Sequence, residues 1–221
     1  MKKFLIIILT LVTLFIIFRN VNFESEYSNT DSQNIEVDTR ATQSLSLSDF
    51  NISDVAEEEK TYLNIENSTL VWIGENKLRN VQHTGELDFR SDSYVVLDEN
   101  GQISSGLIQV DMTTLRGNNE PQGLINHLRS NDFFDVERYN NARLDIISSD
   151  GANVEALLTI KDITQEVDFV LSQNEGVFTG LLSFDRSLWN ISTLSRSFFS
   201  NLGDSVVEDV IVLDFTVILQ N

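Results

Sequence analysis

The sequence predicts an all-β fold with short helices, an antiparallel β-barrel of about eight strands that starts near residue 61. Three observations carry this reading. After Lys60, apolar residues recur at every second position in one run after another, the period of a pleated strand. The runs are punctuated by residues that favour tight turns. Each run has a single apolar face, and closing the sheet buries all those faces while removing both vulnerable edges.

The clearest run spans Val81 to Arg90, where Val81, His83, Gly85, Leu87 and Phe89 alternate with Gln82, Thr84, Glu86, Asp88 and Arg90. One set faces a core and the other faces water. The rhythm recurs in Val154–Ile160, Val167–Leu171, Phe178–Phe184 and Ile211–Leu219. Further strands are expected at Thr69–Gly74, Ser93–Leu97, Ile103–Met112 and Arg143–Ser148. Turns are expected at Asp98-Glu99-Asn100-Gly101, Ser149-Asp150-Gly151 and Asn174-Glu175-Gly176. Two stretches break the alternation. Near 120–135, Leu124, Ile125 and Leu128 stand at helical spacing; 187–203 is a long excursion containing Trp189, Phe198 and Phe199.

Upstream of the barrel, Lys2 and Lys3 precede a run from Phe4 to Phe18 that is apolar apart from Thr10 and Thr13. Residues 1–20 therefore read as a signal peptide or an N-terminal membrane anchor. As a helix the run reaches only about 22 Å, against a hydrocarbon core of about 30 Å, which favours a cleaved signal. Arg19, Asn20, Val21 and Asn22 supply no small-x-small cleavage site, which favours retention through residues 4–18. Either outcome exports the remainder to the periplasm or cell envelope. Residues 21–60 are polar and acidic without sustained periodicity, and read as a flexible linker.

Composition excludes several classes of function. A formal net charge of −19 repels nucleic-acid backbones and anionic lipid surfaces, so membrane contact is expected only through the N-terminal segment. With no cysteine there is no disulfide framework, thiolate nucleophile or cysteine metal site, and two histidines far apart give no metal centre. No nucleophile elbow, metalloprotease helix or phosphate loop is present. Asp132 and Asp135 flank Phe133 and Phe134 and read as helix caps rather than as a catalytic pair. No catalytic residue and no cofactor are expected. The oligomeric state is left open, a dimer included.

The second half of the chain carries recognisable motifs. Asn126 to Tyr139 contains His127-Leu128, Ser130, Asp132-Phe133-Phe134, Val136 and Tyr139 in order. Leu158-Thr159-Ile160-Lys161-Asp162-Ile163-Thr164 forms a turn, Asp185-Arg186-Ser187 precedes Trp189-Asn190-Ile191, and Ser197-Phe198-Phe199 precedes Leu202-Gly203-Asp204. Together with Ser68–Gly74, His83-Thr84-Gly85 and Val110-Asp111-Met112, these resemble the signature of YceI-like proteins. Asp162 stands where that family usually has glycine, and an aspartate tolerates a left-handed backbone there.

The resemblance implies a lipocalin-like barrel, exported in bacteria, enclosing an isoprenoid-type lipid such as a quinone or a polyprenyl chain. The partner is then that lipid rather than a resident cofactor. Such a tail needs a dry apolar tunnel and little named chemistry. The candidate lining residues are Leu87, Phe89, Phe133, Phe134, Leu158, Phe169, Phe184, Trp189, Phe198 and Phe199; taken singly each reads first as core filling, and as a set they read as the lining of a cavity. His83, on an inward position, and Arg186, at a strand end, are candidate headgroup contacts. The competing expectation for them is a satisfied buried histidine, and an arginine paired elsewhere while Asp185 caps the next segment. The alternative function is a tethered envelope module with a fully packed barrel and no ligand.

Overall fold

The computed structural model describes residues 56–76, 80–193 and 208–220. Among the described residues, ten strands and one α-helix follow in chain order: β1 (Lys60–Tyr62), β2 (Thr69–Asn76), β3 (Val81–Phe89), β4 (Tyr94–Leu97), β5 (Ile103–Gly117), α1 (Gln122–Arg129), β6 (Asn141–Ser149), β7 (Asn153–Ile160), β8 (Ile163–Asn174), β9 (Val177–Asp185) and β10 (Val210–Ile218). A single antiparallel sheet runs β5-β3-β2-β10-β9-β8-β7-β6 and closes by pairing β6 with β5, giving an eight-stranded barrel. The first half of β5 also carries β4, which in turn carries β1. The expected segment 4–18 and the residues Phe198 and Phe199 lie outside the described residues.

The alternation read from the sequence sets which residues face inward. On β3, Gly85, Leu87 and Phe89 are buried, and Asp88 between the last two is exposed. On β7, Val154, Ala156, Leu158 and Ile160 are buried in strict alternation. The turns follow their residues. Gly101 and Gly151 take positive φ, and Asp98 and Asp150 accept backbone N–H groups across their turns. The two-residue loops Lys161-Asp162 and Glu175-Gly176 are left-handed throughout, with φ of 51°, 59°, 50° and 79° in chain order. That conformation matches the twist of a hairpin.

Several features were not legible in the periodicity. β1 has three residues, too few to show a period. The acidic Glu57–Glu59, expected within a linker, is a 3-10 turn leading into β1, and Glu57 holds both Lys60 Nζ and Tyr62 Oη. β5 runs past Met112 to Gly117, and between Asp111 and Arg116 it bulges against β3. Thr114 stabilises the bulge by donating to Asp111 O while accepting from Asp88 N–H. Asp132 and Asp135 cap no helix: α1 ends at Arg129, and both lie in the turns beyond it, Asp135 at φ 51°. The excursion after β9 opens with a 3-10 turn at Arg186–Trp189.

Candidate ligand-binding cavity

The barrel interior holds two chambers that share Leu70, Val110 and Leu213 as a waist. The lower chamber, about 80 Å³, is walled by side chains such as Phe89, Ile108, Leu158, Phe169, Phe178 and Phe215. The upper chamber, about 140 Å³, is walled by Trp72, Leu87, Met112, Leu115 and Phe184 and covered by Leu124, His127 and Leu128 of α1 with Phe133 and Phe134 of the following turn. One water needs about 10–15 Å³ of such space, so each chamber admits several first-row atoms in a row. Largely apolar walls favour an apolar guest.

The bulge in β5 and a glycine on β2 shape the upper chamber. The bulge brings both Met112 and Leu115 inward, a spacing that strict alternation forbids, and both are almost fully buried. Gly74 follows Leu70 and Trp72 on the inward set of β2 and pairs with His83 on β3. A Cβ there would meet no atom within 4 Å, so the missing side chain leaves chamber volume open. Gly85 is the opposite case. A Cβ would come within 1.9 Å of Arg116 O and 2.5 Å of the Trp72 indole, whose Nε1 donates to that same carbonyl. Its glycine is required by close approach.

Among the described residues, the lower chamber is lined by one polar residue, Arg143, and the upper by His83, His127, Arg186 and Glu208. Arg186, with a relative exposure of 0%, lines the chamber. Its Nη1 donates to Ile191 O at 2.8 Å and Thr193 O at 2.9 Å, and its Nη2 faces Asp209 Oδ1 at 3.4 Å. Its guanidinium lies over the Phe133 ring. Burial pushes the Arg186 pKa below its ordinary value, opposed by the charges of Asp209 and Asp185. Asp185 accepts from Ser187 N–H at 2.9 Å and so caps the 3-10 turn. His83 also lines the chamber; its Nδ1 lies 2.7 Å from Glu120 Oε2, and the other Glu120 oxygen accepts Thr84 N–H. His127 packs edge-on against Phe133, and its Nε2 is buried without a hydrogen-bond partner among the described residues.

The residues singled out from the sequence thus divide between the chambers. Phe89, Leu158 and Phe169 line the lower one; Leu87, Phe133, Phe134, Phe184, His83 and Arg186 line the upper one. Trp189 lines neither. It is buried in the wall behind Phe184, edge-on to that ring at 5.1 Å, with Nε1 donating to Leu158 O. Sequence reasoning missed the waist, Gly74, Met112, Leu115 and His127. Leu70 and Leu213 were findable, since both stand in phase on alternating strands. Among the described residues, no group of three or more His, Cys, Asp or Glu side chains is placed to hold a metal ion.

A closed antiparallel barrel with two largely apolar chambers, most of their polar lining at one end, is a cavity-bearing barrel of lipocalin-like design. The chain belongs to the YceI-like family: the YceI-like domain model matches residues 63–219. Among solved structures it is similar to Burkholderia cenocepacia BcnA, with a TM-score of 0.55 and 22% identity over 72% of this chain and 99% of that one. It is also similar to a polyisoprenoid binding domain from Saccharophagus degradans implicated in plant cell wall breakdown, with a TM-score of 0.49 and 14% identity over 71% and 95% of the two chains. At such identities the likeness speaks to the fold. No curated protein matches the chain.

Proposed function

We propose that this chain is an exported binding protein that encloses an isoprenoid-type lipid, a quinone or polyprenyl chain, for carriage or storage. The observation that carries the reading is the pair of adjoining, largely apolar chambers inside a closed barrel. Membership of the YceI-like family, whose resemblance implies an isoprenoid-type guest, supports that chemical class. Binding is passive: each buried methylene contributes about 0.8 kcal/mol, so a branched hydrocarbon tail is held without directed contacts. The polar upper end faces the headgroup, and the tail passes the waist of Leu70, Val110 and Leu213 into the lower chamber. The reading includes delivery across the membrane by the apolar N-terminal segment, cleaved or retained as an anchor. A fully packed interaction module fits poorly with these open chambers. The test is organic extraction of the full chain purified from bacteria. An isoprenoid fragmentation pattern in the extract supports the reading; an extract free of isoprenoid lipid, even after incubation with quinones and prenols, counts against it.

A further inference from the structure

We propose that His127 is the headgroup contact of this cavity, and that the guest it selects carries an uncharged oxygen, a carbonyl or a hydroxyl, rather than a phosphate. The inference rests on the lipid-binding reading above and deepens it. A phosphate needs cations or several free N–H donors, and the described cationic residues of the upper chamber already face other partners. Arg186 spends Nη1 on the Ile191 and Thr193 carbonyls, turns Nη2 toward Asp209 and lays its plane over Phe133. His83 is held by Glu120. The protein as a whole carries a formal charge of −19, which disfavours a diphosphate further.

Arg186 Nη2 makes no hydrogen bond either, but it faces the Asp209 carboxylate as an ion pair. His127 has no ion-pair partner among the described residues; it lines the same chamber, on the face of α1 that covers the barrel, and its Nε2 is buried without a hydrogen bond. A buried polar atom left unpaired is costly, and a guest supplying one partner removes that cost. An imidazole nitrogen donates to a carbonyl or accepts from a hydroxyl according to its tautomer, so one site serves a quinone and a prenol alike. Phe133, Phe134, Leu124 and Leu128 line the chamber with it, and the other polar side chains of the lining, His83, Arg186 and Glu208, already have protein partners, which suits a small headgroup with a single strong contact.

The experiment measures binding of four guests with equal tails to the full chain: geranylgeraniol, the corresponding menaquinone, geranylgeranyl diphosphate and the headless hydrocarbon. The wild type is expected to bind the alcohol and the quinone about ten-fold or more tighter than the diphosphate. His127→Leu is expected to weaken the alcohol and quinone about ten-fold and leave the hydrocarbon unchanged, while His127→Gln, which keeps a hydrogen-bonding end, retains most of the affinity. Thermal unfolding of both variants checks that α1 still packs. Preference for the diphosphate overturns the inference, as does an equal loss of hydrocarbon binding in His127→Leu. In either case the lipid reading survives. If no guest binds the wild type, both fall.

Discussion

The Arg186 guanidinium lies 5.0 Å from the centroid of the Phe133 ring, tying the strand end of β9 to the turn that follows α1. The contact joins two segments far apart in sequence at the polar end of the barrel. Arg186 is wholly buried, so its charge depends on its fixed partners. Arg186→Met removes the donor to the Ile191 and Thr193 carbonyls and the charge facing Asp209. Loss of one partner from a buried pair costs about 3–5 kcal/mol, and the expected result is a fall of that order in urea unfolding. The double variant Arg186→Met, Asp209→Asn is expected to recover part of the loss; no recovery would mean that the ion pair is not what the arginine supplies.

Two glycines on paired strands should respond oppositely. Gly85→Ala drives a Cβ into Arg116 O and the Trp72 ring, where backbone leaves no room to yield. Chain overpacking of this kind costs about 1–3 kcal/mol or more, so a clear drop in melting temperature is expected. Gly74→Ala enters open space and should leave stability unchanged or slightly raised, because an alanine also restricts the unfolded chain. A substantial loss of stability in Gly74→Ala would show that the upper chamber is closed in solution.

Val110, Leu70 and Leu213 border both chambers, so filling the waist separates tail uptake from headgroup contact. Val110→Phe is expected to abolish binding of long tails while short ones still enter the upper chamber. Its cost in stability should fall below the roughly 1–3 kcal/mol of overpacking a filled core, since there is space to receive the ring. Calorimetric titration with isoprenoids of graded length reads this directly; equal loss for all lengths would contradict a waist.

Two surface carboxylates give stability changes of opposite sign with pH. Asp150 accepts from the Asn153 side chain and from the Asn153 and Ala152 N–H groups, which lower its pKa from 3.8 to about 2. Its contribution is present above 3.8 and is lost as the pH falls toward about 2, so the stability gap between wild type and Asp150→Ala should close over that window. Asp214 stands on the outer face of β10 between Leu181 and Val71, and the water stripped from it pushes its carboxyl above 3.8. Its contribution is full below that value and lost as the pH rises through the raised pKa. Asp214→Asn should therefore be more stable than wild type at neutral pH, with the gain vanishing in acid. Parallel unfolding curves across the acid range check both signs.

The barrel wall was legible because alternation and turn residues agree along most strands. Leu87 and Phe89 on β3, or Leu158 on β7, face inward for the reason that made them conspicuous, a period of two. Met112 and Leu115 were not legible, because the bulge that aims both inward depends on hydrogen bonds from Thr114 and Asp88 rather than on any local pattern. The partner of His83 was hidden for a similar reason: Glu120 lies in the connection to α1 and reaches back across the fold. Trp189 looked like cavity lining because it is large and aromatic, yet size alone does not separate a wall from a surface facing a void. Gly74 carried no signal, since open space beside a glycine has no counterpart in sequence.

The most direct test of a lipid-holding barrel is native mass spectrometry of the wild type beside Gly74→Phe, after both are expressed in bacteria and exposed to menaquinone and prenols. The account predicts a retained lipid mass on the wild type and a bare mass on a Gly74→Phe protein that melts at an unchanged temperature, its ring occupying the upper chamber. A bare wild type, or equal lipid on both proteins, would contradict it.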